Sequence, residues 1–294
     1  MERAAGHDDG TGRKRDPALY VVATPIGNLQ DVTLRALDVF RQVDAIAVED
    51  TRVTSRLLNH YGISSKKLIA LHEHNENRAA PGIIGELQAG RSVALASDAG
   101  TPAFSDPGAR LVAAVREAGF PVIPIPGANA AAAALSASGF AGPHFLFYGF
   151  LPAKPGERRK ALDELARSPY LLVLYEAPHR IGETLADLAA SFGDTRRIVI
   201  ARELTKLFET IHECAVGEAA SWVAEDPNRV KGEFVLIIEG AKEDRDAAMT
   251  EATRTLQVLL EELPVKQAAT LAAKITGARK NDLYELALKL RKEA

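Results

Sequence analysis

The chain reads as an α/β protein built of two α/β units followed by a short helical segment. Three observations predict this. From Leu19 onward, short apolar, β-branched runs alternate with amphipathic helical stretches. The alternation restarts at Phe145, after a stretch punctuated by Gly139, Gly142 and Pro143. Strand patterns stop at Gly240, while helical periodicity continues beyond it. A chain of 294 residues has room for two domains of about 150 residues each, and 47% hydrophobic residues suffice for sizeable cores.

Leu19 to Ala23 is the first predicted strand, ended by Thr24-Pro25. Leu34, Leu37 and Val43, with Ala36 and Phe40 alongside, fit one face of a helix. Ala45 to Val48 is the next strand, and a helix around Arg56 to Tyr61 stops at Gly62. Leu68 to Leu71 and Val93 to Ala96 are strands separated by a helix that ends at Gly90. Asp106-Pro107 reads as an N-cap followed by proline at the first helical position, with Gly119 closing that helix. Val122 to Ile125 is a strand whose Pro124 would cost a ladder bond in a central position, so it belongs near an edge or a bend. Strands apolar on both sides, alternating with helices, imply a largely parallel sheet covered on both faces.

The second region, Phe145 to Gly240, is read as similar, with strands Phe145–Tyr148, Leu171–Tyr175, Ile198–Ala201 and Phe234–Ile238. Phe208 to His212 alternates and suggests an antiparallel strand between the last two. The expected division is a disordered tail over 1–17, an N-terminal domain over 18–141, a C-terminal domain over 142–242 and a helical segment over 247–294. In that segment Val265, Ala268, Ala269 and Ala272 share one helical face, and Leu283, Leu286, Ala287 and Leu290 another. Asp282 and Glu285 offer a capping box, and a turn at Gly277 joins the two helices as in a helix-turn-helix. Glu243 to Asp246 is a charged linker.

The net charge of −3 leaves no global footprint for nucleic acid. The segment from Pro264 onward differs, with seven basic residues, Arg279 and Lys280 among them, against three acidic ones. It fits either a solvated helical cap or an RNA-docking module. Cys214 is the only cysteine, which excludes an internal disulfide and suits a reducing cytoplasm. No apolar run approaches the roughly 18 residues of a membrane span, and the polar first residues lack the apolar core of a secretory signal. His72 and His74 lie two apart without a third spaced ligand, so no metal is expected.

Open α/β sheets bind ligands beyond the carboxyl ends of their strands, so three strand-to-helix loops carry the interest. The first, Ala23 to Leu29, is not a G-x-G-x-x-G loop, and neither that motif nor a phosphate-binding G-x-x-x-x-G-K-[ST] follows any strand. A dinucleotide or nucleoside-triphosphate enzyme is therefore disfavoured. The second, Ser97 to Gly108, is rich in small residues whose N–H groups can donate to a carboxylate, while Asp98 can accept from an ammonium or hydroxyl. It also fits a long structural turn in which Asp98 and Ser105 cap helices. The third, Pro126 to Ala130, leads into alanines that permit tight helix packing.

These three loops in this order resemble the tetrapyrrole methylase superfamily, whose members use S-adenosylmethionine. Tyr20 to Leu29, Ala47 to Arg52, Tyr148 to Pro152, Tyr175 to Arg180 and Ala201 to Lys206 narrow the resemblance to the branch acting on small-subunit ribosomal RNA. Each motif is modest alone, and together in order they are highly specific. The resemblance covers about Leu19 to Gly240, and the helical tail more loosely. It implies a donor site in the cleft between two α/β domains, a homodimer, and 2′-O-methylation of a cytidine in the decoding region of 16S rRNA. Carried over, the donor contacts are Pro25, Asp98, Ala99, Gly100, Thr101, Ser105, Asn129, Glu176, Ala177, Gly232, Glu233 and Phe234.

A sulfonium already makes the donor methyl electrophilic, so the enzyme must align oxygen, carbon and sulfur. A ribose hydroxyl is a weak nucleophile, and a general base should help. Glu203, Glu176 and Lys206 form the expected catalytic set, with Glu203 or Glu176 assisting deprotonation. Arg52, Arg180, Arg202, Lys206, Arg279 and Lys280 are the expected RNA contacts. Two other readings compete: a same-fold methyltransferase for a tetrapyrrole or other small molecule, and a non-catalytic RNA-binding module.

Overall fold

The computed structural model describes residues 16–64, 66–72, 75–241 and 245–293. Of the expected tail, residues 1–15 lie outside the described residues, as do Glu73, His74, Glu243 and Asp244. The first sheet comprises β1 (Leu19–Val22), β2 (Ala45–Val48), β3 (Lys67–Ala70), β4 (Val93–Ala96) and β5 (Val122–Ile125). Its order is β3-β2-β4-β1-β5 and every pair is parallel. The connecting helices are α1 (Leu34–Gln42), α2 (Thr51–His60), α3 (Glu76–Gln88) and α4 (Ala109–Glu117).

Strand alternation divides the core. Ile46, Val48, Ala94 and Ala96 meet Phe40 of α1 and Leu57 of α2 on one face. Ala45, Ala47, Val93 and Leu95 meet Ile83 of α3 and Leu111 of α4 on the other. β5 takes the edge, where the missing N–H of Pro124 costs no ladder bond.

The second sheet comprises β6 (Phe145–Phe150), β7 (Leu171–Glu176), β8 (Arg197–Arg202), β9 (Thr210–Ala215) and β10 (Phe234–Ile238), ordered β6-β7-β10-β8-β9. Only β6 and β7 are parallel, and the other three pairs are antiparallel. This corrects the reading of the second region as similar to the first. The β8–β9 link is far shorter than the dozen or so residues a parallel crossover needs, and β10 inserts between β7 and β8.

One face of this sheet is covered by its own helices α6 (Pro155–Leu165), α7 (Ile181–Phe192) and α8 (Val216–Ala224). The other is covered by α5 (Ala130–Ala137), which follows β5: Ala131 and Ala134 pack on Val173, Val199, Val235 and Ile237. The alanine run thus lies close on the second sheet, because small side chains let a helix approach its strands.

The tail holds three helices, α9 (Arg245–Glu262), α10 (Val265–Thr276) and α11 (Lys280–Glu293), around a core of Ala252, Leu256, Ala268, Ala269, Ala272, Leu283 and Ala287. The sequence reading named two; α9 adds the apolar surface that two short helices lack. Gly277 closes α10 at φ +74°. Asp282 falls inside the first turn of α11 instead of capping it.

The Asp106-Pro107 cap is also corrected. α4 starts at Ala109, with Gly108 as N-cap at φ +133°. The buried Glu76 carboxylate accepts the Gly108 N–H at 2.6 Å, replacing the expected Asp106 cap from another element.

Candidate active site

The loops beyond β1, β4 and β5 are stitched to one another. Thr24 N–H donates to the Gly100 carbonyl at 2.8 Å and Gly100 N–H returns to Thr24 at 3.0 Å. Thr24 Oγ1 donates to the Ser97 carbonyl at 3.0 Å, and Thr101 Oγ1 to the Ala128 carbonyl at 3.1 Å. Gly100 sits at φ +84°, where a Cβ would lie 3.3 Å from Ile26 Cγ2. Asp98 Oδ1 accepts the Asp50 N–H at 3.0 Å and so ties in the loop after β2. Asn129 caps α5 by accepting the Ala132 N–H at 3.0 Å.

The second sheet contributes the facing wall. Glu176, at the end of β7, is buried and fully engaged: Oε1 accepts from Ala177 N–H at 2.8 Å and Oε2 from the Thr184 hydroxyl at 2.6 Å. Arg180 Nε lies 3.3 Å from Glu176 without hydrogen-bond geometry, while its Nη2 donates to the Leu151 and Pro152 carbonyls. Glu203 Oε1 accepts from Lys206 Nζ at 2.7 Å and from Glu233 N–H at 3.0 Å, and Lys206 also reaches Glu233 Oε2 at 2.9 Å.

Burial pushes the Glu203 carboxyl up, but Lys206 and the Glu233 N–H outweigh it and hold it below the usual range. Burial likewise pulls Lys206 down, and Glu203 and Glu233 more than restore it. The two halves touch here: Asn28 N–H donates to Thr205 Oγ1 at 3.1 Å, and a Cβ on Gly27 would lie 2.5 Å from Lys206 Cγ.

Between these walls lies a cavity of about 300 Å³. Of the residues expected as donor contacts, Ala99, Gly100, Thr101, Ser105, Asn129, Glu176, Ala177, Glu233 and Phe234 line it. Pro25, Asp98 and Gly232 are not in the lining. Asp98 braces the loop from behind, and Gly232, at φ +93°, leaves the space that the Glu203 side chain fills. Glu203 and Lys206 flank the cavity through Leu204 and Glu233.

Sequence reasoning missed Ile26, Phe104, Asp106, Ala130, Phe150, Tyr175, Pro178, Leu204 and Val235 in the lining. Most are apolar residues whose pattern marks them only as core. Phe104 stacks on Phe147 at 4.2 Å, and Tyr175 lies edge-on to Phe147 and Phe150. The Tyr175 hydroxyl accepts the Ala131 N–H at 3.2 Å, and burial pushes its phenol up to about 12. Asp106 had a signal, an acid in the small-residue loop after β4, which the capping pattern absorbed.

The expected RNA contacts divide. Arg202 is buried and spends its guanidinium on the Lys231, Phe208 and Asn228 carbonyls, so it staples two loops and is not open to phosphate. Arg180 likewise turns inward, its Nη2 on the Leu151 and Pro152 carbonyls. Arg52 is exposed and pairs with Asp50 at 2.6 Å, whose carboxyl Arg52 holds down to about 2. Arg279 and Lys280 are exposed at the start of α11.

The residues fit S-adenosylmethionine: the volume reaches the roughly 300–1,000 Å³ of small-ligand pockets, Gly100 forms a cradle a Cβ would crowd, and apolar walls meet a few polar groups. The chain belongs to the tetrapyrrole methylase family, whose members transfer methyl groups from S-adenosylmethionine; the model described as Tetrapyrrole (Corrin/Porphyrin) Methylases matches residues 18–220. Residues 246–291 match the model described as RsmI C-terminal HTH domain.

The chain is 52% identical over 270 residues to the ribosomal RNA small subunit methyltransferase I of Escherichia coli O157:H7, covering 92% of this chain and 94% of that one. It is 50% identical over 282 residues to the protein of that name from Vibrio cholerae, covering 96% and 98%. Among solved structures, cobalt precorrin-4 methyltransferase superposes with a TM-score of 0.57 at 16% identity, over 76% of this chain and 94% of that one. Uroporphyrin-III C-methyltransferase from Thermus thermophilus, complexed with S-adenosylhomocysteine, gives 0.53 at 16%, over 75% and 96%. At such identities these two speak for the fold alone.

Proposed function

We propose that this chain methylates the ribose 2′-oxygen of a cytidine in the decoding region of 16S rRNA, working in the cytoplasm as a homodimer. The observation that carries the reading is the cavity walled by loops of both sheets, in a chain half identical to ribosomal RNA small subunit methyltransferases over nearly its whole length.

Bound there, S-adenosylmethionine supplies a methyl group on a positively charged sulfur. The protein's part is orientation and exclusion of water. Ala99 to Thr101, Ser105, Asn129, Ala177 and Phe234 hold the donor, while Phe104, Phe150 and Leu204 keep the chamber apolar. The Glu203–Lys206–Glu233 network, pinned to Gly27 and Asn28, holds the two walls at working separation. Glu176 organises the β7 turn through Ala177 and Thr184.

RNA meets exposed basic groups, Arg52 at the start of α2 and Arg279 and Lys280 on the tail. The basic tail favours an RNA acceptor over a tetrapyrrole, which needs no such module. Mapping 2′-O-methyl groups on 16S rRNA from cells with and without this protein tests the reading. A modification unchanged by its loss rules it out.

A further inference from the structure

Phe150 is an exposed ring in the cavity wall, and its strand is bent to put it there. Val173 and Tyr175 of β7 share the sheet face that turns to α5 and the cavity. Phe147 pairs with Val173 on that face. Strict alternation would bring residue 149 there next and turn Phe150 the other way, toward α6 and α7. A bulge between Phe147 and Gly149 adds one residue, so Phe150 pairs with Tyr175 and joins the cavity side. Gly149 makes the bend at φ +78°, and a Cβ there would lie 2.9 Å from Ser105 Oγ of the loop after β4. The bend is thus seated against a loop of the facing wall.

The neighbouring rings are shielded. Phe104 stacks on Phe147, and Tyr175 lies edge-on to Phe147. Phe150 meets Tyr175 edge-on at 5.7 Å and is the most exposed of the four, at 51%. An apolar chamber gains little from a ring half in water. A flat face at its rim fits a flat partner arriving from solvent, and every nucleobase has such a face.

We propose that Phe150 is the stacking platform for the pyrimidine base of the acceptor nucleotide. A ribose hydroxyl reaches a methyl group inside a cleft when its nucleotide is splayed out of the surrounding stack, and the base then loses its neighbours. Phe150 replaces one of them and fixes the ribose relative to the donor. The proposal rests on the reading of this cleft as the site of RNA methylation. The adenine of S-adenosylmethionine is the competing occupant of the ring.

The test compares wild type with Phe150→Leu and Phe150→Trp. Small subunits are reconstituted with 16S rRNA that carries either cytidine or an abasic ribose at the acceptor position. Binding with S-adenosylhomocysteine present gives the affinity for each subunit, and single-turnover methylation at limiting cytidine subunit gives the rate. Calorimetry gives the affinity for S-adenosylmethionine, and sedimentation velocity the oligomeric state. Phe150→Leu should bind the donor within about threefold of wild type while its affinity for the cytidine subunit and its rate fall about five- to a hundredfold. Phe150→Trp, which keeps a π-face, should recover most of both. On the abasic subunit wild type and Phe150→Leu should agree within about twofold, because the partner of the ring is gone.

A Leu variant equal to wild type, or a defect of full size on the abasic subunit, overturns the proposal alone. So does a donor affinity that falls as far as the subunit affinity, which gives the ring to adenine, or a changed oligomeric state, which gives it to a second copy. A wild type that binds donor but methylates no small-subunit RNA overturns the functional reading, and this proposal with it.

Discussion

The environment of Asp106, in the lining of the cavity, has a thermodynamic consequence. Its carboxyl lies at about 7 in the folded chain against the usual 3.8, raised by burial first and then by Glu49 and Asp98. Between about pH 4 and 7 the folded state therefore keeps a proton that the unfolded chain has released, and stability falls as pH rises through that window. At about 1.4 kcal/mol per pH unit, the ceiling on this loss above pH 7 is about 4 kcal/mol. The carboxylate borders a cleft that water enters, so the expected loss is about half of that, near the surface-like end of the dielectric range.

Asp106→Asn keeps the shape and removes the ionisation. The variant should match wild type near pH 4 and exceed it by about 2 kcal/mol at pH 8, a gain of several degrees in melting temperature. Circular-dichroism melts at half-unit steps from pH 4 to 9 measure this directly. An advantage constant across the range, or none at pH 8, refutes the electrostatic reasoning.

Gly27→Ala places a methyl 2.5 Å from Lys206 Cγ and 2.9 Å from Thr205 Oγ1, forcing the two walls apart; it should cost about 1–3 kcal/mol by denaturant midpoint and weaken donor binding in calorimetry. Arg202→Met strands the Lys231, Phe208 and Asn228 carbonyls and should lower stability by about 3 kcal/mol, while the salt dependence of RNA binding stays as in wild type. Arg279→Glu with Lys280→Glu should lower the slope of RNA affinity against salt and leave donor binding intact; an unchanged slope removes the tail from the RNA surface. Ending the chain after Gly240 should preserve donor affinity and weaken methylation of the small subunit, with equal activity excluding a docking role for the tail.

Much of the cavity wall was legible because its chemistry is local. The Ser97–Gly108 loop announces itself through small residues directly after a strand, and Asn129 through its place before a helix. The edge position of β5 followed from Pro124 alone, since a residue without an N–H is tolerated only where no partner needs it. The surroundings of two arginines were not legible, for the opposite reason. Arg180 and Arg202 stand at or just after strand ends like surface residues, but all save one of the carbonyls their guanidiniums reach lie 26 to 29 residues away in sequence.

Strand, helix and loop identities, and the family they spell, follow from the order of residues, because periodicity, capping and turn chemistry act over a few positions. The antiparallel second sheet, the α5 alanines wedged against it and the release of Asp106 into the cavity were decided by tertiary structure. The Gly108 N–H is satisfied by a glutamate 32 residues earlier in the chain. Which of two acids caps a helix and which faces a ligand depends on distances that only the assembled fold sets.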